Sequence, residues 1–183
     1  MKIVSPYCTI GPFFPASFVE GHDDLTHHRG GTARGQHIAL SGRILQEGGV
    51  PTRNTILEIW QPDANGIFSS CPGSDPGFSG WGRARTDAEG WYKIRTVVPG
   101  SYDGRCPHAN LMILAIGLTH RLVTTVFFPN SPDADPDSVR DPVLDCVKDT
   151  IARQRLFAKR EKADEYRFDL ILRGENETPF FLD

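Results

Sequence analysis

The chain has 183 residues, a formal net charge of −3 and 39% hydrophobic residues, the profile of one sizeable globular domain with a buried core. Its mild acidity leaves no electrostatic footprint for nucleic acid, and no apolar run approaches the roughly 20 residues of a membrane span. The first residues, MKIVSPYC, carry no export-signal pattern, so a cytoplasmic protein with reduced thiols is expected.

Residues 1–35 show little periodicity. TIGPFFPASF mixes Gly and Pro with aromatics, and GHDDLTHHRGGTARG is polar and Gly-rich. Together they read as an extended N-terminal arm without a core of its own, which must lie on its own domain or a neighbour. Phe13, Phe14 and Phe18 favour a partner chain, since each buried aromatic contributes roughly 1.5–3 kcal/mol. His27-His28 reads as a solvated pair. From residue 36 the pattern turns to strands. HIALSGRIL is followed by the turn QEGGVPTRN and by TILEIWQ, rich in β-branched and aromatic residues. Glu58 lies inside that apolar run and must face solvent or pair with an arginine of a neighbouring strand.

PDANG is a turn, and SSCPGSDPGFSG a loop of small residues. WGRART, DAEG and WYKIRTV then predict a hairpin from turn chemistry. LMILAIG and RLVTTVFF are apolar on both faces and are expected at the centre of a sheet. PNSPDADPDSVRDP is an acidic, Pro-rich surface loop, and VLDCVKDTIARQRLFAKREKA holds one or two short helices. EYRFDLILR places Tyr166, Phe168, Leu170 and Leu172 on one strand face. With 18 glycines and 14 prolines between short strands, residues 36–183 read as a single all-β sandwich.

Cys8, Cys71, Cys106 and Cys146 are scattered with no C-x-x-C pair, which argues against a zinc knuckle. No Ser-His-Asp arrangement, phosphate-binding loop or dinucleotide fingerprint occurs. The stretch PHANLMI carries more chemistry. His108 and Asn110 are two apart and share one strand face. They read either as hydrogen-bonded core groups or as part of a metal site, for which an asparagine amide is a poor donor. Tyr102, just upstream, could supply a phenolate to ferric iron and Arg105 could contact an anion; equally, SYDGR could simply turn.

LSGRIL…GGVPTRNTILEIWQPDANGIF resembles the signature of the intradiol ring-cleavage dioxygenases, through Gly42, Glu58-Ile59-Trp60-Gln61 and Gly66-Ile67-Phe68. GRARTDAEGWYKIRTVVPGSY, HRLVTTVFFPN and YRFDLILRGENETPFF extend the likeness over nearly the whole chain. TIGPFF, LFAKR and the ending GENETPFF are similar to the α-subunit branch of the protocatechuate 3,4-dioxygenases. The resemblance implies a β-sandwich with a non-haem ferric site of two tyrosines and two histidines in the catalytic members. Carried over by position, these fall on Phe68, Tyr102, His108 and Asn110, so two of four donors are missing.

The resemblance therefore implies a non-metal α subunit. Fe(III) would be bound by an iron-bearing β partner in a heteromer of multiple αβ units. The assembly would cleave 3,4-dihydroxybenzoate, a small catechol, with O2 to 3-carboxy-cis,cis-muconate. Thr9, Gly11 and Pro12 would wall the partner's pocket, and this chain alone would be inactive. Arg105 and the aliphatic Ile116 depart from the α pattern. Two other readings stand beside it: a self-contained intradiol enzyme with changed ligands, and a non-catalytic binding or scaffold sandwich.

Overall fold

The computed structural model describes residues 14–129 and 138–181. Two short strands, β1 (His27–His28) and β2 (Gly31–Thr32), pair as a small antiparallel ribbon. The long strand β3 (His37–Leu45) follows, then β4 (Ile56–Trp60), β5 (Trp81–Arg85), β6 (Trp91–Val97), β7 (His108–Leu114) and β8 (Leu122–Phe127). Two five-residue helices, α1 (Pro142–Cys146) and α2 (Thr150–Gln154), precede β9 (Lys159–Arg160), β10 (Glu165–Arg167) and β11 (Leu170–Ile171). No helix among the described residues is long and apolar enough to cross a membrane.

The strands form two layers. In one, β3 pairs antiparallel with β6 along one edge and parallel with β10 and then β11 along the other, and β9 lies beyond β10. In the other, the order is β5-β4-β7-β8, all antiparallel. Period-two alternation explains the packing: Leu40, Ile44 and Ile94 from the first layer meet Leu57, Ile59, Leu111 and Ile113 from the second, all buried. Phe127, Leu144, Leu156 and Phe157 make a second apolar cluster beneath the helices. The all-β sandwich expected from the sequence is the fold observed.

Three local expectations are corrected. First, β5 and β6 are not a hairpin. Asp87 and Gly90 do make the expected tight turn, with the Asp87 amide on the Trp91 carbonyl at 3.0 Å, but the chain passes there from one layer to the other. Local turn chemistry fixes the reversal, not the pairing partner. Second, β8 is an edge strand. Its apolar residues are covered by the second cluster, and its edge is capped at Phe127 by Phe157 and at Val123 by Phe181.

Third, the described part of the arm lies on its own sandwich. Phe14 and Phe18 stack at 5.2 Å, and the Arg83 guanidinium sits 3.5 Å above the Phe18 ring. Leu25 is wholly buried in the main core, with Ala33 beside it. Phe13 lies outside the described residues. Glu58 takes the paired alternative, accepting from Arg83 Nε at 2.6 Å. His27 is exposed and His28 half-buried.

Candidate functional site

Two loops bring the candidate residues to the start of β7. The loop after β4 is wound around Asp63, whose buried carboxylate accepts the amides of Asn65 at 2.8 Å, Ile67 at 3.0 Å and Asp75 at 2.9 Å. Asp75 in turn accepts from the Arg34 and Gly77 amides, and the Arg34 amide foremost holds its carboxyl below the ordinary value. Gly66 has φ of +81°, and a side-chain carbon there would fall 2.2 Å from the Ser101 carbonyl. That close approach, open only to glycine, seats the loop carrying Phe68 against the loop carrying Tyr102.

The result is an aromatic row rather than a cup of donors. Trp60 lies 5.0 Å from Phe68, Phe68 is edge-on to Tyr102 at 4.9 Å, and Tyr102 is 5.2 Å from His108. The row continues inward to Phe127 at 5.6 Å and Phe157 at 5.5 Å. Its outer end, Trp60, is 53% exposed. Ring separations of this size are those of favourable aromatic pairs, worth about 0.5–1.5 kcal/mol each beyond area burial.

His108 is buried, and its Nδ1 lies 2.7 Å from the Cys106 carbonyl. That nitrogen must carry the proton, which leaves Nε2 as acceptor for the Tyr102 hydroxyl at 3.1 Å. Burial pulls the imidazole below its ordinary pKa and pushes the Tyr102 phenol up, so both are neutral at pH 7. The side-chain oxygen of Asn110 accepts from Thr125 Oγ1 at 3.1 Å. Arg105 donates through Nε to both oxygens of Asp141, at 3.0 and 2.8 Å, and its Nη2 has no hydrogen-bond partner among the described residues. Asp141 also accepts from the Cys106 and Val143 amides, at 2.9 Å each, and so caps α1.

Phe68, Tyr102 and His108 thus lie side by side, with Asn110 two residues along β7 from His108, but the four do not fit a ferric centre. Phe68 offers no donor atom, and the two remaining strong donors, the Tyr102 oxygen and His108 Nε2, satisfy one another. Asn110 is committed to Thr125. Among the described residues no group of three or more His, Cys, Asp or Glu is placed to hold a metal ion. Arg105, read as an anion contact, has its charge matched by a carboxylate of this chain. Ile116 is half exposed beyond the far end of β7. Thr9, Gly11 and Pro12 lie outside the described residues. Sequence reasoning missed Asp63 and Asp141. Asp141 immediately precedes Pro142, the signature of a capped helix start, though nothing local points to Arg105.

The family described as Dioxygenase matches residues 9–174. The chain is 36% identical over 178 residues to a protocatechuate 3,4-dioxygenase β chain from Burkholderia cepacia, covering 85% of this chain and 73% of that one. The chain belongs to the intradiol dioxygenase family. It is also 35% identical over 159 residues to a protocatechuate 3,4-dioxygenase α chain from Pseudomonas putida, covering 81% and 77%. Among solved structures, the dioxygenase domain of a dioxygenase–carbohydrate-binding fusion from Streptomyces sp. SirexAA-E matches with a TM-score of 0.60 and 27% identity, over 91% of this chain and 96% of that one. Within the intradiol family these likenesses extend to α and β chains alike, so the distinction between them falls to the site residues.

Proposed function

We propose that the chain is the non-metal, α-type subunit of a heteromeric protocatechuate 3,4-dioxygenase, with Fe(III) and bond cleavage on an iron-bearing β-type partner. One observation carries this reading: the Tyr102 hydroxyl and His108 Nε2 are hydrogen-bonded to each other, while the two other positions that the resemblance assigns to ligands hold Phe68 and Asn110. A ferric site needs hard anionic oxygens and open imidazole lone pairs, and its affinity depends on the full set. The family's oxygenase chemistry then belongs to the assembly, which would open 3,4-dihydroxybenzoate between its hydroxyls with O2. This chain supplies interface and pocket wall, the latter through Thr9, Gly11 and Pro12. Gly11-Pro12 offers close backbone approach and a fixed bend, and Thr9 a hydroxyl.

The test is to purify the chain alone and with an iron-ligand-complete homologue encoded beside it. The isolated chain is expected to hold no stoichiometric iron, to lack the red-brown tyrosinate-to-iron absorption and to be inactive. The co-purified complex carries iron and cleaves protocatechuate. About one iron per isolated chain, with that absorption and activity, would make it self-contained instead.

A further inference from the structure

The geometry points to a binding site for a small aromatic carboxylate in the cleft between α2 and the strands β9, β10 and β11. The cleft measures about 690 Å³, within the roughly 300–1,000 Å³ usual for small-molecule sites. Neither Tyr102, Arg105 nor His108 lines it. The described part of the arm meets β6, on the opposite edge of β3 from β10 and β11.

Part of the lining is apolar: Ile151, Phe157, Phe168 and Ile171. Phe157 is the inner end of the aromatic row, 5.5 Å from Phe127, so its ring is held by packing. Ile151, on α2, is 62% exposed, apolar surface that the fold itself leaves uncovered. A flat hydrocarbon body finds ring and aliphatic contacts here together.

The charges do not cancel. Arg155, Lys159 and Arg167 line the cleft with Glu161 and Asp169. Arg167 engages both carboxylates: its Nε donates to Asp169 at 3.2 and 3.1 Å, and its Nη1 lies 3.9 Å from Glu161. Arg155 is held by neutral groups. It donates to the Glu175 and Glu177 carbonyls at 3.4 and 3.2 Å and to the Asn176 side-chain oxygen at 3.0 Å. These bonds fix its guanidinium without matching its charge. Lys159 makes no hydrogen bond or ion pair among the described residues. It also stands opposite Arg167 in the β9–β10 register, and like charges so placed destabilise a sheet. An anion beside Lys159 and Arg155 relieves that repulsion. The excess of one positive charge selects a monoanion, and a planar guanidinium suits a carboxylate. The apolar lining selects an aromatic body over inorganic phosphate or acetate.

Titration of the full chain, followed by amide chemical shifts, tests the site with benzoate as probe. Benzamide serves as the neutral isostere and acetate as the charge without the ring. Benzoate is expected to shift the Phe157, Lys159, Ile171 and Thr178 amides saturably. Its Kd should be at least about tenfold below that of either control, since both charge and ring contribute. Lys159→Met, an exposed change that leaves the strand pairing intact, should weaken benzoate roughly three- to tenfold, the worth of a half-exposed charged contact. The same variant should leave benzamide unchanged. No saturable shift at roughly 10 mM benzoate, above the millimolar scale expected of so small a ligand, would overturn the inference. Equal binding of benzamide would overturn it by reducing the cleft to an apolar contact. Shifts confined to Tyr102, Arg105 and His108 would overturn it by placing the ligand elsewhere, and so would an unchanged benzoate Kd in Lys159→Met.

Discussion

Asp141 accepts from Arg105, Cys106 and Val143 with its side chain wholly enclosed. Burial alone would push the carboxyl up, but the Arg105 guanidinium and the two amides outweigh it and hold the pKa below the ordinary value. Asp141→Ala should cost about 3–5 kcal/mol, because it strands a largely buried cation as well as a helix cap; urea unfolding at pH 7 measures it. The pH dependence has a definite sign. A depressed carboxyl pKa contributes stability that is present above the unfolded value near 4 and lost as pH falls through the lower folded value. Asp141→Asn should therefore flatten the loss of stability below about pH 5, compared with the parent chain. At the positions that the resemblance assigns to metal ligands, Phe68→Tyr with Asn110→His supplies a phenolate and an imidazole. Weak, substoichiometric iron uptake with a visible tyrosinate band is the expected outcome. No uptake would mean that the Tyr102–His108 bond and its surroundings hold the site closed. His108 and Asn110 could be read from PHANLMI because strand periodicity puts them on one face. The Arg105–Asp141 pair could not, since 36 residues separate its members and no local pattern joins them.

At the scale of elements, the alternation from Trp91 to Val97 gives β6 its inward Tyr92 and Ile94. It cannot say that the partner is β3, some 50 residues earlier, rather than β5 across the turn. Register is a long-range property, decided by which apolar faces meet. For the same reason the arm reads as coreless in the sequence: its one fully buried aliphatic among the described residues, Leu25, is a single residue without a periodic context. Leu25 fills space beside Gly82, where an added side-chain carbon would lie 2.3 Å from it. Leu25→Ala should then cost about 2–5 kcal/mol, seen as a lowered urea midpoint. Deleting residues 1–12 should leave that midpoint nearly unchanged. Equal losses from the two changes would show that the fold depends on the arm far upstream of Leu25.

For the whole molecule, the arm deletion has a second readout. If Thr9, Gly11 and Pro12 wall a partner's pocket, the complex lacking residues 1–12 should show a raised KM with kcat less affected, because pocket contacts add binding rather than bond breaking. Steady-state kinetics and sedimentation of the truncated complex check this; unchanged KM and assembly would reduce the segment to a tail. The parallel pairing of β10 with β3, Glu165 opposite Ala39, has a consequence in time. A ribosome adding about 5–20 residues per second finishes β3 roughly 6–24 s before it reaches β10. Until then β3 can pair only with β6, and its other edge waits unsatisfied. Tyr92, whose hydroxyl ends on the Phe168 carbonyl, has no partner during that interval. Non-local pairings of this kind make for slow folding. A nascent chain stalled short of β10 would thus carry an exposed strand edge at its centre, and only the segment from Glu165 onwards can close it.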